Sequence, residues 1–262
     1  MGQSSEIAIF GGTATAKTDI NRSMFVVHKV YPAFGLYYRH CFNNHWSYRL
    51  SVVRAKVYGN DALTNSAYFK NRNLNYFSPI TEFGANLEFN FFQFQVANPR
   101  STITPFISAG FNIFRFNPKT NYNGDVVLLQ PLGTEGQGTS ITGAKGKYKR
   151  TSTSFSMGGG IKIRLANRWG ITLDGMGRKA STDYLDDVST NYADKVILAA
   201  ENGALAAALS DLSKDQLNNN VALRQRGNST EKDWYFIGGL SISFTLKKDY
   251  HNICKPFRVK LH

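Results

Sequence analysis

Residues 181–195 read STDYLDDVSTNYADK, and they hold Asp183, Asp186, Asp187 and Asp194, four of the eighteen acidic residues in a chain of net charge +13. Carboxylates at i, i+3 and i+4 share one face of a helix, and clustered carboxylates can hold a divalent cation. The stretch nevertheless lacks the glycine and the terminal bidentate glutamate of an EF-hand loop. No histidine or nucleophile is paired with it in sequence, which weighs against acid/base work. A charge clamp fits better: Asp183, Asp186 and Asp187 can reach Arg72, Lys70, Lys149 or Arg226 from other loop segments. TEGQG (134–138) is not a phosphate loop, because no lysine follows its last glycine; Glu135 and Gln137 are expected to satisfy loop backbone groups.

The elements that position these groups are strands. In 82–91, Phe83, Ala85, Leu87, Phe89 and Phe91 alternate with Glu82, Gly84, Asn86, Glu88 and Asn90. Runs 102–114, 154–165, 168–178 and 234–246 alternate in the same way, and noisier runs lie near 5–14, 33–42 and 46–58. Period two over ten or more residues means long strands with one apolar and one polar face. Within 46–58 the apolar parity switches at Val52-Val53, which predicts a bulge or a strand leaving the apolar layer. The connections run to about 18, 4, 20, 6, 35, 3 and 50 residues, with boundaries good to a few residues. Long and short alternate throughout.

That sorting predicts an all-β fold: an eight-stranded antiparallel up-and-down transmembrane β-barrel over 1–246, with short periplasmic turns and long extracellular loops. The alternative is a soluble lipocalin-like barrel. Glu82, Glu88 and Asp174 would share the lumen with Arg39, Arg49, Lys162, Arg164 and Arg178 as paired, space-filling charges. Tyr37, Tyr38, Trp46, Tyr48, Phe114, Phe116, Trp169, Trp234 and Tyr235 lie near strand ends and suit interfacial girdles. The N-terminal residues of the numbered chain show no signal-peptide pattern. No apolar run reaches the length of a membrane-spanning helix. The Ala- and Leu-rich 196–213 predicts a short helical segment with Leu205, Leu209 and Leu212 on one face.

Motifs in the connections add a family. RNLNY (72–76), FNP (116–118), LQPLGTEGQG (129–138), TDYLDDVSTNY (182–192), QRGN (225–228) and DWY (233–235) occur in an order that resembles the PorG family. These are outer-membrane components of the type IX secretion system of Bacteroidetes, and the resemblance spans about 30–246. It implies a non-enzymatic barrel associated with the periplasmic ring of the lipoprotein PorK and its partner PorN. It implies no cofactor, and the basic charge is not read as nucleic-acid binding. A barrel enzyme, protease or lipid acyltransferase, and a small-solute channel are the competing classes.

The segment 247–262 is read as a basic periplasmic tail. Lys247, Lys248, Lys255, Arg258 and Lys260 interleave there with Tyr250, Ile253, Phe257 and Val259, an arrangement suited to adding an edge strand to a partner. Both termini are expected in the periplasm. Cys41 and Cys254, the two cysteines, fall near that side, where they would pair with each other, pair with a partner or stay free. Lys145, Lys147, Lys149 and Arg150 near the outer rim face either lipopolysaccharide phosphates or water.

Overall fold

The computed structural model describes residues 4–22, 30–214 and 224–248. Among the described residues there are ten strands, of which β6 (Lys119–Tyr122) and β7 (Asp125–Leu128) form an outlying hairpin. The other eight are β1 (Ser4–Lys17), β2 (Tyr31–Cys41), β3 (Trp46–Asn60), β4 (Asn75–Asn90), β5 (Ile103–Phe116), β8 (Thr151–Arg164), β9 (Trp169–Ala180) and β10 (Trp234–Lys248). Each pairs antiparallel with its neighbours, and the β1–β10 and β3–β4 pairings close the ring. The fold is a closed eight-stranded up-and-down barrel.

Tight turns join β2 to β3 and β8 to β9 at one end, while 61–74, 117–150 and 181–233 leave the other. The third connection at the short-turn end differs from expectation. It spans 91–102 rather than the expected length of about 6 residues, and it folds in against the neighbouring turn, the Phe94 N–H donating to the Asn44 carbonyl at 2.9 Å. Phe94, Val96 and Ala97 are buried there, with Arg164 Nε donating to the Val96 carbonyl at 3.1 Å.

The barrel has two chemically opposite halves. Toward the short turns the outward residues are large and apolar: Ile9 and Phe111 are each 71% exposed, and Leu36, Leu50, Val52, Phe83, Met157, Leu173 and Ile242 are exposed beside them. A greasy surface facing outward around a charged interior is the lipid-facing band of a transmembrane barrel. On β3 the band runs from Trp46 to Arg54, about 27 Å along the strand and about 21 Å along an axis tilted by ~40°.

Toward the long loops the polarity inverts. Val53, Ala55, Val57, Tyr76, Ile80, Phe114, Phe116, Tyr235 and Ile237 point inward and are buried in one cluster with Leu185, Val188 and Leu209 of the last connection. The parity switch at Val52-Val53 is therefore no bulge, since β3 keeps an unbroken register with both neighbours. The strand leaves the lipid band and enters a water-soluble kind of core. The same inversion corrects the girdle: Tyr37, Phe114, Phe116 and Tyr235 are buried inside, whereas Trp46 and Trp169 are outward and exposed.

Candidate functional site

Two buried polar networks are the candidate sites, one in the lumen and one in the folded loops. In the lumen Glu88 is the hub. Arg39 Nε meets it at 2.7 Å, Lys162 Nζ at 2.7 Å and Arg49 Nε at 3.2 Å. Arg39 also reaches Glu6 at 3.0 Å, and Arg49 reaches Asp174 at 2.8 Å. Higher up, Arg178 pairs with Glu82 at 2.8 Å, and the Tyr235 hydroxyl donates to the same carboxylate at 2.6 Å. All these side chains come from inward strand positions, so strand parity alone delivers them. Four acids face four cations, and the set is neutral. Glu6 was missing from the sequence reading, because β1 is one of the three noisier runs and its inward position was not assigned. Arg164 belongs to the lower mouth, where it also bonds Asn167, and not to the charge chain.

The long connections fold into one cap. Its hub is Arg226, whose guanidinium bonds Glu135 at 3.1 Å, the Asp187 carbonyl at 2.8 Å and the Ser210 carbonyl at 3.0 Å. Glu135 in turn accepts from the backbone N–H groups of Ser189 and Thr190 and from the Thr190 hydroxyl. Gln137 Oε1 accepts the Glu135 N–H at 3.0 Å. Two glycines are needed here. Gly133 has φ +59°, with Gln137 O 2.5 Å from where a Cβ would stand, and a Cβ on Gly227 would lie 2.6 Å from Asp19 Oδ2. Arg72 makes a two-pronged contact with Asp61 (2.6 and 2.8 Å) and donates to the Arg226 carbonyl, tying the 61–74 connection to the last one.

Asp183, Asp186 and Asp187 of the opening stretch are buried but not clamped by cation side chains as expected. Asp186 accepts from the N–H groups of Ile20 and Val188, each at 3.0 Å. Asp183 accepts from the Ser189 hydroxyl at 2.7 Å. Asp187, at φ +68°, accepts from the hydroxyls of Thr134 and Tyr148. Arg226 and Arg72 have Glu135 and Asp61 as their carboxylate partners instead. Burial pushes these acids upward: Asp183 to about 7, Asp186 to about 8 with help from the Asp19 charge, and Asp187 to about 6 despite Arg226. Asp233, which accepts the Leu185 N–H, is raised well above the carboxylate range by burial and by Asp186. Among the described residues no group of three or more His, Cys, Asp or Glu side chains is arranged to hold a metal ion.

The helical segment is present but broken at Gly203, giving α2 (Lys195–Asn202) and α3 (Ala204–Ser210). Asp194 caps α2 by accepting from the N–H groups of Val196 and Ile197. Leu198 and Leu209 are buried against the cap, and Leu205 is exposed. Lys147 donates to the Pro131 carbonyl at 2.6 Å and Arg150 to Asn117 at 3.3 Å, so part of the basic stretch is engaged in the cap. His40 bonds Ser5 at 3.0 Å on the exterior near the short-turn end, and its ring packs on Phe42 and Tyr48.

Cys41 is buried on the inner side of β2, and among the described residues its thiol has no disulfide partner. Cys254 lies outside the described residues, as do Tyr250, Ile253, Lys255, Phe257, Arg258, Val259 and Lys260. β10 extends the barrel to Lys248, so the backbone of Lys247 and Lys248 pairs with Ser5 and Ser4.

Residues 1–192 match the family model described as "Domain of unknown function (DUF6089)". The chain belongs to the DUF6089 family. The matched region takes in β1–β9 and ends within the acidic stretch, leaving Asp194, Arg226 and β10 beyond it. A comparison with curated protein sequences gives no match. Among solved structures, the N-terminal β-barrel domain of Pseudomonas aeruginosa OprF aligns over 94% of this chain and all of its own, at 10% identity and a TM-score of 0.41. The outer membrane protein OprG of the same organism aligns over 92% and 97%, at 12% identity and TM-score 0.43. Neisserial surface protein A aligns over 94% and 97%, at 8% identity and TM-score 0.43. The barrel of the DUF6089 chain rests on its own strand registers.

Proposed function

We propose that this DUF6089 barrel is a non-enzymatic outer-membrane component of the type IX secretion system, which tethers the periplasmic PorK/PorN ring to the membrane. The observation that carries the reading is the cap network. Residues of the motifs that bear the PorG resemblance meet in it: Arg226 bonds Glu135 and the Asp187 carbonyl, Arg72 donates to the Arg226 carbonyl, Gln137 accepts the Glu135 N–H, and Asp233 accepts the Leu185 N–H. Motifs that lie far from a periplasmic partner then have a reason to exist: they fold the barrel's own lid.

A filled, charge-neutral lumen closed below by Phe94, Val96 and Ala97 argues against a solute channel. In this reading the short-turn end and both termini face the periplasm, and the tail beyond β10 offers basic and apolar anchors to the ring. Affinity purification of the full chain from detergent-solubilised envelopes tests it, with PorK and PorN expected to co-purify. A variant lacking 249–262 keeps every barrel strand nearly entire, and loss of the ring from that variant alone assigns the contact to the tail.

A further inference from the structure

The outward positions at the upper edge of the lipid band carry cations and no acids. Among the described residues of the eight barrel strands, every acidic side chain (Glu6, Glu82, Glu88, Asp174) is buried and takes part in the lumen network. Outward strand positions in contrast hold Lys17, Arg54, Lys56, Arg115 and Lys179. A band edge of one sign, with no compensating charge on the same face, is complementary to anionic head groups.

The strand registers concentrate these charges on one wall. Arg54 of β3 is directly opposite Thr81 of β4, and Thr81 is directly opposite Arg115 of β5. The two arginines are thus two inter-strand spacings apart, about 10 Å between Cα atoms, with a hydroxyl between them. One row higher Lys56 stands opposite Pro79, its ammonium 4.3 Å from the Tyr31 ring centroid and 4.2 Å from that of Phe77. Two rows higher Lys119 pairs with Phe77. Arg54 and Arg115 are exposed, and neither makes an ion pair within the described residues. Guanidinium forks on long flexible stems suit phosphate recognition from two sides. The rings around Lys56 supply the apolar flank that an acyl chain requires.

We propose that Arg54, Thr81 and Arg115, flanked by Lys56 and Lys119, form a binding site for the phosphate of an anionic glycolipid in the leaflet at the long-loop end. The site is placed where β3 leaves the lipid band, the height at which head-group phosphates lie. It holds the barrel at a fixed depth and orients one wall toward phosphorylated lipid. The inference rests on the outer-membrane part of the reading above and not on its secretion part, so a failure to recover PorK leaves it standing.

The test uses the full chain in detergent micelles, titrated with bisphosphorylated lipid A and, separately, with phosphatidylcholine, bound lipid being counted by native mass spectrometry. Wild type is expected to retain lipid A over phosphatidylcholine, and R54Q/R115Q to bind lipid A about 30-fold more weakly, at roughly a fivefold loss per charge. R54K/R115K should stay within a few-fold of wild type, and K17Q/K179Q, on the opposite wall, should match it. Should the double variant not assemble, R54Q and R115Q singly carry the same test at about fivefold each. Equal lipid A binding by wild type and R54Q/R115Q overturns the site. Equal losses from both pairs reduce it to a general basic collar. Full displacement by millimolar inorganic phosphate points to free phosphate and overturns the lipid.

Discussion

Arg226→Met should open the cap while leaving the barrel closed. Arg226 and Glu135 have side chains only 2% and 1% accessible, at 3.1 Å. Removing the guanidinium leaves a buried carboxylate with hydrogen bonds but no countercharge, and breaking one side of such a pair costs about 3–5 kcal/mol. The bonds to the Asp187 and Ser210 carbonyls are lost with it. At 1.4 kcal/mol per tenfold, local opening of 183–192 should rise by roughly two to three and a half orders of magnitude. Hydrogen exchange by mass spectrometry in micelles reads this directly, with peptides from β4 and β5 as internal references. The double variant R226M/E135Q removes the stranded charge and should recover about 1–3 kcal/mol, the coupling expected of directly bonded residues. Unchanged exchange of 183–192 in R226M, or strict additivity in the double variant, would refute a cap held by this pair.

Two further outcomes follow from the same geometry. Because burial raises Asp183 to about 7, Asp186 to about 8 and Asp187 to about 6, the folded cap binds protons that the opened cap releases. Protection of 183–192 should therefore be highest near pH 4 and fall as pH rises to about 8, and protection factors that rise over that window contradict the burial of these acids. Ala85→Arg, in the middle of the lipid band opposite Leu50, should lower folding stability in vesicles by about 2–4 kcal/mol, while Thr81→Arg, at its edge, should cost no more than about 1 kcal/mol; urea titration of the two variants checks it, and equal costs would displace the band edge drawn at Arg54.

The barrel was legible because its lower half obeys one rule: large apolar residues outward, small or charged residues inward. Glu82, Glu88, Arg39, Arg49, Lys162, Asp174 and Arg178 could be placed by parity alone, but their partners could not. Arg49 meets Asp174 across the lumen from a sequence separation of 125 residues, and period-two patterns carry no information about facing walls. At Val52-Val53 the two readings, a bulge or a strand leaving the apolar layer, could not be told apart in sequence because a change of surroundings imitates a change of register; the unbroken register shows the second. The turn at 91–102 was underestimated because Asn98 and Pro99 mark only its far side, while Phe94 and Val96 look like strand residues. The β6–β7 hairpin did have a signal: Asn123-Gly124, at φ +52° and +92°, is the dipeptide that a two-residue hairpin turn favours. In the cap, Asp186 and Asp187 bond groups of other connections, whereas Asp183 bonds Ser189 within its own. Their partners proved to be hydroxyls and backbone N–H groups, which are too common in sequence to single out. The cation pairing falls to Glu135, 91 residues from Arg226.

The central claim is that the barrel tethers a periplasmic ring, and chemical crosslinking in intact cells followed by affinity purification of the full chain tests it most directly. The account predicts PorK crosslinked to the short-turn end of the barrel or to residues beyond Lys248, with PorN recovered alongside it. A correctly assembled, heat-modifiable barrel that yields no crosslink to either ring protein, in cells where the ring itself is intact, would contradict it.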